Sequence, residues 1–253
     1  MKFDIISFSF ILVLIPMYLS YRYKIGVEKE LFKNSIRAFL QLSILGFVLG
    51  FLFDIKNFFY YIPIMIAMLF YSAYIAKKRT NFSFWYAFYS LFLSTVFVLF
   101  ILVTLKIISL KPHVFIPITG MIIGNALNTY TLTLDRLDRE IDLQMDLVEA
   151  LVSVGASLKE AYEVMRNQAV KASMIPVNNM LETIGIVAIP GIATGMLIAG
   201  VDPLKAISYQ IVIIYMIVSI NLFTSLLGSW FFIKAKVKDS HITKLSSHID
   251  LSI

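Results

Sequence analysis

The sequence contains no cysteine, only three histidines and few charged residues, which make up 15% of its 253 residues. Without cysteine the chain can form no disulfide scaffold, no thiolate metal site and no thiol nucleophile. A soluble globular domain has about 25% charged and about 45–50% apolar residues. Here hydrophobic residues reach 59% and the mean hydropathy is +0.82. This composition excludes a disordered chain and a nucleic-acid-binding module, and it predicts a membrane protein.

Long apolar runs occur at seven places in the chain. Most of them are long enough to cross about 30 Å of hydrocarbon as helices, and helices are expected because backbone amides inside a bilayer must be paired. We therefore predict an all-α, polytopic membrane protein with about seven transmembrane helices in one domain, residues 1–253. The positive charges Arg22 and Lys24 follow the first run, so we do not expect it to be a removable signal peptide. The runs are residues 5–20, 36–53, 59–76, 84–105, 114–134, 174–200 and 206–233.

Lysine and arginine are distributed unevenly among the connections between these runs. Of the 22 such residues, 17 follow the first, third or fifth run or belong to the tail, residues 234–253. Because Lys and Arg collect in cytoplasmic connections, we predict an amino terminus outside, a cytoplasmic carboxy terminus and an odd number of spans. The same bias accounts for the basic pI of about 9.3 without a nucleic-acid partner, and none is expected.

One cytoplasmic connection, residues 135–173 between spans five and six, is too long to be a simple loop. Its apolar residues recur at steps of three and four, which predicts an amphipathic helix. Gly155 is expected to end that helix in the left-handed conformation, and Ser157 with Glu160 forms a capping-box pattern that begins another. A hairpin resting on lipid headgroups is the alternative, but the acidic start of the segment suits a protein groove better. The apolar positions are Leu147, Leu151, Val154, Leu158, Ala161 and Met165.

The order of residues in this segment also resembles a known sequence signature. Glu149, Ala150 and Gly155 resemble the Glu-Ala-Ala…Gly signature of ABC-transporter permeases, in which the elbow is a coupling helix seated in the ATP-binding subunit. The wider sequence, from about residue 27 to 230, resembles the FetB-like permease family, most specifically over residues 185–211. The matching positions are residues 120–128, Leu132, Leu134, Arg136, Leu137, Glu149, residues 155–157, Ala161, Pro176, Asn179, Gly185, Pro190, Gly191, Thr194, Gly195, Ile198, Gly200, residues 202–204, Ala206 and residues 209–211, with Leu31, Arg37, Gln41, Leu42 and Gly46 near the start.

This resemblance implies a multi-pass permease subunit in the cell inner or plasma membrane that works with a separate ATP-binding cassette subunit. Bacterial relatives imply export of iron or another metal, and plant relatives imply a role in aluminium tolerance. One elbow can engage one ATPase, and ABC transporters use two, so a homodimer of the permease is expected. This chain is expected to hold no cofactor, because ATP and Mg²⁺ would bind the partner. The residues expected to couple ATP hydrolysis to transport are Glu149, Ala150, Gly155, Ala156, Ser157 and Glu160.

Several intramembrane residues are candidates for the translocation path or for close helix packing. Glu182 is the only acidic residue well inside a predicted span, and residues 176–191 are expected to be one helix on which Asn178, Glu182 and Gly185 share a face. Such a charge should face a cavity or a partner, and pairing with Asn178 or a basic loop residue is the alternative. Pro190 is expected to kink the span. The full candidate set is Gly120, Gly124, Asn125, Asn128, Asn179, Glu182, Pro190, Gly191, Gly195 and Gln210.

Other functions are weighed against this hypothesis. No Gly-x-x-x-x-Gly-Lys-Ser/Thr stretch occurs, so the chain is not expected to hydrolyse ATP or to be an enzyme. A retinal sensor is excluded because residues 206–233 contain no lysine, whereas another seven-helix receptor stays open. The Asp135 and Asp138 pair leaves a Mg²⁺-dependent prenyl-transfer enzyme as an alternative. Within the transporter class, a metal-complexing small molecule or a sugar nucleotide is an alternative cargo. No intramembrane metal site is predicted.

Overall fold

The computed structural model describes residues 10–53 and 58–249. Apart from one isolated bridge between Ile184 and Ala188, the regular elements in those residues are helices, so the all-α prediction is confirmed. Residues 5–9 of the first predicted span and 250–253 of the predicted tail lie outside the described residues. The helices are α1 (Ile11–Arg22), α2 (Glu28–Phe53), α3 (Tyr61–Thr80, after a 3₁₀ turn at Phe58–Tyr60), α4 (Phe84–Thr104), α5 (Pro112–Leu143), α6 (Met145–Ser153), α7 (Leu158–Thr183), α8 (Gly191–Ile198) and α9 (Pro203–Ile249).

Three helices in the described part of the chain are long and apolar enough to cross a membrane, namely Glu28–Phe53, Phe84–Thr104 and Pro203–Lys238. Helix α1 is apolar but shorter. These helices agree with a polytopic membrane protein. The number of seven spans and their orientation remain predictions.

Residues 1–56 form one compact unit, in which α1 and α2 pack against each other. The connection between them is held by Ser20, whose hydroxyl donates to Glu28 Oε2 at 2.8 Å and accepts from the backbone N–H of Val27 at 3.2 Å. Ser20 is buried, whereas α2 has no buried residue within its length.

Residues 57–253 form the second compact unit, in which α5 packs against α3, α4, α7 and α9. The inward face of α5 carries large buried side chains, including Tyr130, Leu134 and Leu137. Tyr130 requires a glycine on α9, because a Cβ added at Gly228 would lie 2.8 Å from Tyr130 Cδ2. The central helix therefore depends on close packing against α9 in addition to its hydrophobicity.

Contacts within this unit bring several charged helix ends together. The rings of Phe82 and Phe232 lie 4.9 Å apart, which joins the start of α4 to α9. Lys236 Nζ lies 2.9 Å from Asp138 Oδ1, which joins α9 to α5 at the same end. The basic residues at the end of α3 lie one short connection before Phe82. This grouping of charged ends supports the predicted sidedness, which remains a prediction.

The predicted sixth span differs from the structure. Helix α7 ends at Thr183 and α8 begins only at Gly191, so the expectation of one helix over residues 176–191 is wrong. Gly185 has φ +81° and is not on a helix, so it does not share a helical face with Asn178 and Glu182. Pro190 precedes α8 as its N-cap and does not kink a continuous helix. Its fixed φ and missing N–H suit a residue just before a helix.

The break after α7 satisfies much of its own backbone hydrogen bonding. The carbonyl of Thr183 accepts from the N–H of Val187 at 2.9 Å, and the N–H of Gly185 donates to the carbonyl of Ala188 at 2.9 Å. The hydroxyl of Thr194 donates to the carbonyl of Pro190 at 3.1 Å. These bonds pair backbone groups that the end of α7 and the start of α8 would otherwise leave unpaired.

The predicted coupling segment, residues 135–173, is continuous with its neighbouring helices, and its bounds as a cytoplasmic segment stay a prediction. Helix α5 continues past residue 134 to Leu143, and α7 runs without interruption from Leu158 past residue 173. The predicted tail from residue 234 continues α9 as a helix to Ile249. The segment is therefore built from extensions of the bundle helices, with α6 inserted between them.

Candidate functional site

The connection between α6 and α7, residues 154–157, is a tight turn that we call the elbow. Gly155 has φ +100°, a conformation that favours glycine. The N–H of Gly155 donates to the carbonyl of Val152, and the N–H of Ala156 donates to that of Leu151, both at 3.0 Å. These two bonds form the Schellman motif, which pairs carbonyls that the end of α6 would otherwise leave unpaired.

The other side of the elbow is closed by the predicted capping box, which is present. The backbone N–H of Glu160 donates to Ser157 Oγ at 3.3 Å, and the N–H of Ser157 donates to Glu160 Oε2 at 2.8 Å. The Ser157 hydroxyl also donates to Glu160 Oε2, at 2.7 Å. The hydrogen bonds from the Ser157 side chain and backbone hold the pKa of the Glu160 carboxyl below its usual range. Both ends of the elbow are thus fixed by local bonds.

The predicted apolar face is used differently on the two sides of the elbow. On α7, Ala161 and Met165 are fully buried at 0% exposure. On the α6 side, Leu147 is 42% exposed and Val154 at the elbow is 82% exposed. Helix α7 therefore packs into the bundle, while α6 and its C-cap Val154 leave part of their apolar surface exposed.

Helix α6 is nevertheless attached to its neighbours. Val148 is buried, and α6 packs against α7. Just before α6, the side-chain amide of Gln144 donates to Glu140 Oε2 at 2.7 Å and to Gln168 Oε1 on α7 at 3.1 Å. Displacing α6 would therefore disturb both α5 and α7.

The remaining predicted coupling residues lie on α6. Glu149 and Ala150 are exposed. The carbonyl of Glu149 accepts a 2.7 Å hydrogen bond from the hydroxyl of Ser153, and this bond lies within the helix. The Glu149 carboxylate and the apolar residues Leu147 and Val154 are thus all exposed on or beside one short helix.

A second feature is a cleft of about 250 Å³ between α5, α7 and α9, which we call the polar cleft. The side-chain amide of Asn125 is oriented by donating to the Met121 carbonyl at 2.9 Å. Asn221 is 5% exposed, and its Oδ1 has no hydrogen-bond partner among residues 10–53 and 58–249. The cleft is lined by Asn125, Asn128, Thr129, Leu132, Ser173, Pro176, Val177, Met180, Ile217 and Asn221.

A chain of hydroxyl groups joins the same three helices beside the cleft. Ser225 Oγ on α9 lies 3.0 Å from Thr133 Oγ1 on α5 and 3.0 Å from Ser173 Oγ on α7. Thr133 and Ser173 already donate to backbone carbonyls in their own helices, so Ser225 is the donor to one of them. The interior of the bundle is therefore polar where α5, α7 and α9 meet.

The sequence profile of the family described as Uncharacterised protein family (UPF0014) matches residues 4–236, nearly the whole chain. The chain belongs to this family. The resemblance to FetB-like permeases stated from the sequence is thereby confirmed, because that permease is among the relatives of this chain. No solved structure matches this UPF0014 chain.

Its relatives come from bacteria and plants. The UPF0014 membrane protein YjkA of Bacillus subtilis (strain 168) is 35% identical over 83% of this chain and 85% of its own length. The protein ALUMINUM SENSITIVE 3 of Arabidopsis thaliana is 33% identical over 92% of this chain and 89% of its own. The probable iron export permease protein FetB of Escherichia coli (strain K12) is 29% identical over 85% and 84%. These matches establish that the chain is a membrane protein and that its family includes a relative named as a permease.

The UPF0014 structure distributes the predicted intramembrane residues over several places. Asn125 and Asn128 line the polar cleft, whereas Asn179 and Glu182 are exposed on the last turns of α7. Gln210 is buried on α9, and its Oε1 accepts from the backbone N–H of Ala193 at 3.3 Å, in the first turn of α8.

The predicted glycines fall into two groups. A Cβ at Gly120 would lie 3.1 Å from Met68 Cε, so this residue allows close packing of α5 against α3. Gly124, Gly191 and Gly195 have open space where a Cβ would stand. Within one chain only Gly120 has a close neighbour among these four glycines, and their expected role in packing or in the translocation path stays a prediction.

The polar residues of α9 were missed from the sequence. Asn221, Ser225 and Ser229 recur every fourth residue in an otherwise apolar helix and are all buried. That spacing places them on one face, and buried polar residues in a spanning helix mark a functional or packing surface. On α5, Gly120, Gly124 and Asn128 also recur every fourth residue, and the two spacings together could have indicated that the helices meet.

The acidic pair that kept a prenyl-transfer enzyme open is engaged by basic residues. Asp135 Oδ1 lies 3.1 Å from Arg139 Nη2, and Asp138 Oδ1 lies 2.9 Å from Lys236 Nζ. Both ion pairs are exposed to solvent, and exposed pairs contribute little, so this geometry leaves that alternative open.

Proposed function

We propose that this protein is the membrane-spanning permease subunit of an ABC transporter. It would couple ATP hydrolysis by a separate subunit to transport, with export of iron or another metal as the leading candidate reaction. The observation that carries the proposal is the elbow: a turn fixed at both ends that presents apolar residues outward from α6 while α7 packs into the bundle.

The exposed side of the elbow has the chemistry of a surface that a folded partner would cover. Leu147 and Val154 provide apolar area, and Glu149 provides a charge beside them. An amphipathic helix inserted into a groove of another protein uses this combination of apolar anchors and a polar rim. We assign the groove to an ATP-binding cassette subunit, which would hold the ATP and Mg²⁺.

The way the elbow is attached supports transmission of movement. Gln144 links the start of α6 to α5 and α7, and α7 carries the fixed turn directly into the bundle. A push on α6 would therefore reach the helices that line the polar cleft. Because each chain has one elbow and two ATPase subunits are expected, the working unit would be a permease homodimer.

The name of the Escherichia coli relative supports iron export, and this reaction is a proposal for the present chain. The polar cleft offers neutral amide and hydroxyl groups, and the unpaired Oδ1 of Asn221 is an oxygen donor of the kind that hard cations accept as a ligand. The cleft is the candidate translocation site. The membrane would be the inner or plasma membrane, with the elbow in the cytoplasm.

The test begins with the full chain purified from its own membranes with whatever subunits accompany it. We expect a P-loop ATPase in stoichiometric amount and ATPase activity in vesicles that depends on the permease. Changing Val154→Asp should weaken binding of the ATPase about tenfold or more, because it places a charge in the proposed apolar contact. Glu149→Lys should abolish coupling between ATP hydrolysis and transport.

Asp142→Lys is the matched control, because it makes the same kind of charge change at an exposed position on α5. It should leave ATPase binding and coupling unchanged. If the Val154 and Glu149 variants bind the ATPase and transport like the unaltered chain, the assignment of the elbow is wrong.

The chemistry of the polar cleft also supports a second candidate for the transported substrate. The groups of the polar cleft are hydrogen-bonding and uncharged, which also suits a neutral part of a metal-complexing small molecule or a sugar nucleotide. Measuring the metal content of cells with and without the chain separates the two candidates. Metal accumulation on deletion supports metal export, whereas unchanged metal content supports the second cargo.

A further inference from the structure

A cavity of about 270 Å³ lies between the first turns of α7 and the last apolar turns of α9, and we call it the basic pocket. Its polar walls are Lys159, Glu163 and Arg166 from α7 and Lys234 from α9. Trp230 provides one side of it. With three cations and one carboxylate, the pocket carries a net charge of about two positive units, so it is suited to an anion.

The charges in the pocket are poorly matched within the chain. The Nη1 of Arg166 lies 3.7 Å from Glu163 Oε1, which is too far for a hydrogen bond. Within the described residues, Arg166 Nε is buried and has no hydrogen-bond partner. The Arg166 side chain as a whole is 23% exposed and lines the pocket, so an external anion would contact its accessible part and balance a charge that the chain itself matches poorly.

Among the described residues, Lys159 and Lys234 form no ion pair, although the charge of Lys159 also acts on the neighbouring Glu160 carboxylate. Lys234 Nζ lies 5.0 Å from the ring centre of Trp230, a cation–π contact that leaves its hydrogen-bond donors available. Lys159 is the second residue of α7, where the positive end of the helix dipole disfavours a cation. An anion between these groups would relieve both effects.

The depth of the pocket indicates the source of the anion. Trp230 and Lys234 are one helical turn apart on α9, where the predicted span of residues 206–233 ends and lysines begin. The rings of Tyr86 and Phe231 stack 5.5 Å apart beside them. Aromatic residues followed by lysines mark the headgroup level of a bilayer, so the pocket opens where lipid phosphates lie.

We propose that the basic pocket binds the phosphate of an anionic phospholipid headgroup, with Arg166 as the principal ligand and Lys159 and Lys234 as supporting cations. The planar guanidinium suits a phosphate group, and basic pockets between transmembrane helices are known to hold such headgroups. The lipid would connect α7, just beyond the elbow, to α9. This inference depends on no transported substrate and on no ATPase.

The chain contains two tryptophans, so Trp85→Phe leaves Trp230 as the only fluorescent reporter in the pocket wall. The full chain in this background is reconstituted into phosphatidylcholine vesicles with increasing phosphatidylglycerol. We expect the Trp230 emission to shift and to saturate at a low fraction of phosphatidylglycerol. Arg166→Gln and Lys159→Gln should each raise the half-saturating fraction about fivefold. Lys234 is left unchanged, because it contacts the reporter directly.

The control variant Lys77→Gln with Lys78→Gln removes two positive charges from the end of α3, outside the pocket. It should leave the half-saturating fraction unchanged. An equal effect of this control and of the pocket variants would overturn the proposal in favour of diffuse surface charge. Saturation by inorganic phosphate in pure phosphatidylcholine, with no further response to phosphatidylglycerol, would also overturn it, because the anion would then be soluble. Lys159→Gln, at an exposed site, keeps the test valid if Arg166→Gln does not fold.

Discussion

Helices α6 and α7 continue the same apolar pattern on the two sides of the elbow, yet they bury it very differently. Ala161 and Met165 on α7 are fully enclosed, whereas Leu147 on α6 and Val154 at its end remain exposed. The pattern alone does not distinguish them, because residues at steps of three and four predict an apolar face and do not say what covers it. The difference shows that α7 buries its apolar face within the bundle, and it is the exposed side of α6 that the proposed function assigns to a partner.

The largest expected effect tests the buried side of this comparison. Met165→Ala should lower the free energy of unfolding by about 2–5 kcal/mol, because it leaves a cavity beneath α7. Leu147→Ala, at a half-exposed site, should change stability by no more than about 0.5 kcal/mol. Thermal unfolding in detergent measures both. Equal losses at the two positions would show that α6 is packed as tightly as α7.

The next effect tests the turn between the two helices. Gly155→Ala should cost about 1–2 kcal/mol, because alanine is strained at a positive φ. The space around Gly155 is open, so this cost comes from the backbone and not from a clash. Hydrogen exchange of the elbow amides measures the loss.

Gly195→Ala is the matched control for that change. The site is also open but lies inside helix α8, so the substitution should be neutral or slightly stabilising. A similar loss at both glycines would remove the special role of the elbow conformation.

A smaller effect is expected at the start of α7. Ser157→Ala should destabilise this helix end by about 1 kcal/mol, because the N–H of Glu160 loses its acceptor. Ser153→Ala should have little effect, since its hydroxyl donates only within α6. Amide exchange of residues 158–161 distinguishes the two, and equal protection in both variants would contradict the role of the capping box.

The smallest effect is a pH dependence of the elbow. The pKa of Glu160 is lowered in the folded chain by its bonds with Ser157, so its stabilising effect is present above the usual glutamate range and is lost as pH falls through the lowered value. Protection of the elbow amides, corrected for intrinsic exchange, should therefore decline only under acidic conditions. Glu160→Gln should abolish this decline, and a decline that persists in that variant must arise from another group.

The elbow could be predicted from the sequence because its signals are local. Gly155 as the helix end and Ser157 with Glu160 as the cap lie within six residues and make their bonds to each other or to adjacent turns. The all-helical character followed from hydropathy for a similar reason. In both cases the deciding interaction is encoded in neighbouring residues.

The break after Thr183 and the polar cleft could not be predicted in this way. A run of apolar residues with glycines and one proline fits a kinked helix as well as a broken one. The broken form is accompanied by a distant contact, in which the backbone N–H of Ala193 donates to Gln210 Oε1 across the α8–α9 contact. The cleft likewise depends on Asn125 and Asn221, which are 96 positions apart. Such pairings depend on the packing of distant helices.

Ser225 has one proton and two oxygen neighbours on different helices, Thr133 and Ser173, each 3.0 Å away. A turn about a single side-chain bond is enough to redirect that proton from one neighbour to the other. If α5 or α7 slides slightly against α9, Ser225 would replace its hydrogen bond to one hydroxyl by an equivalent bond to the other. Its own hydroxyl would then keep a partner throughout. The three helices can therefore shift slightly while Ser225 keeps one hydrogen bond across their junction.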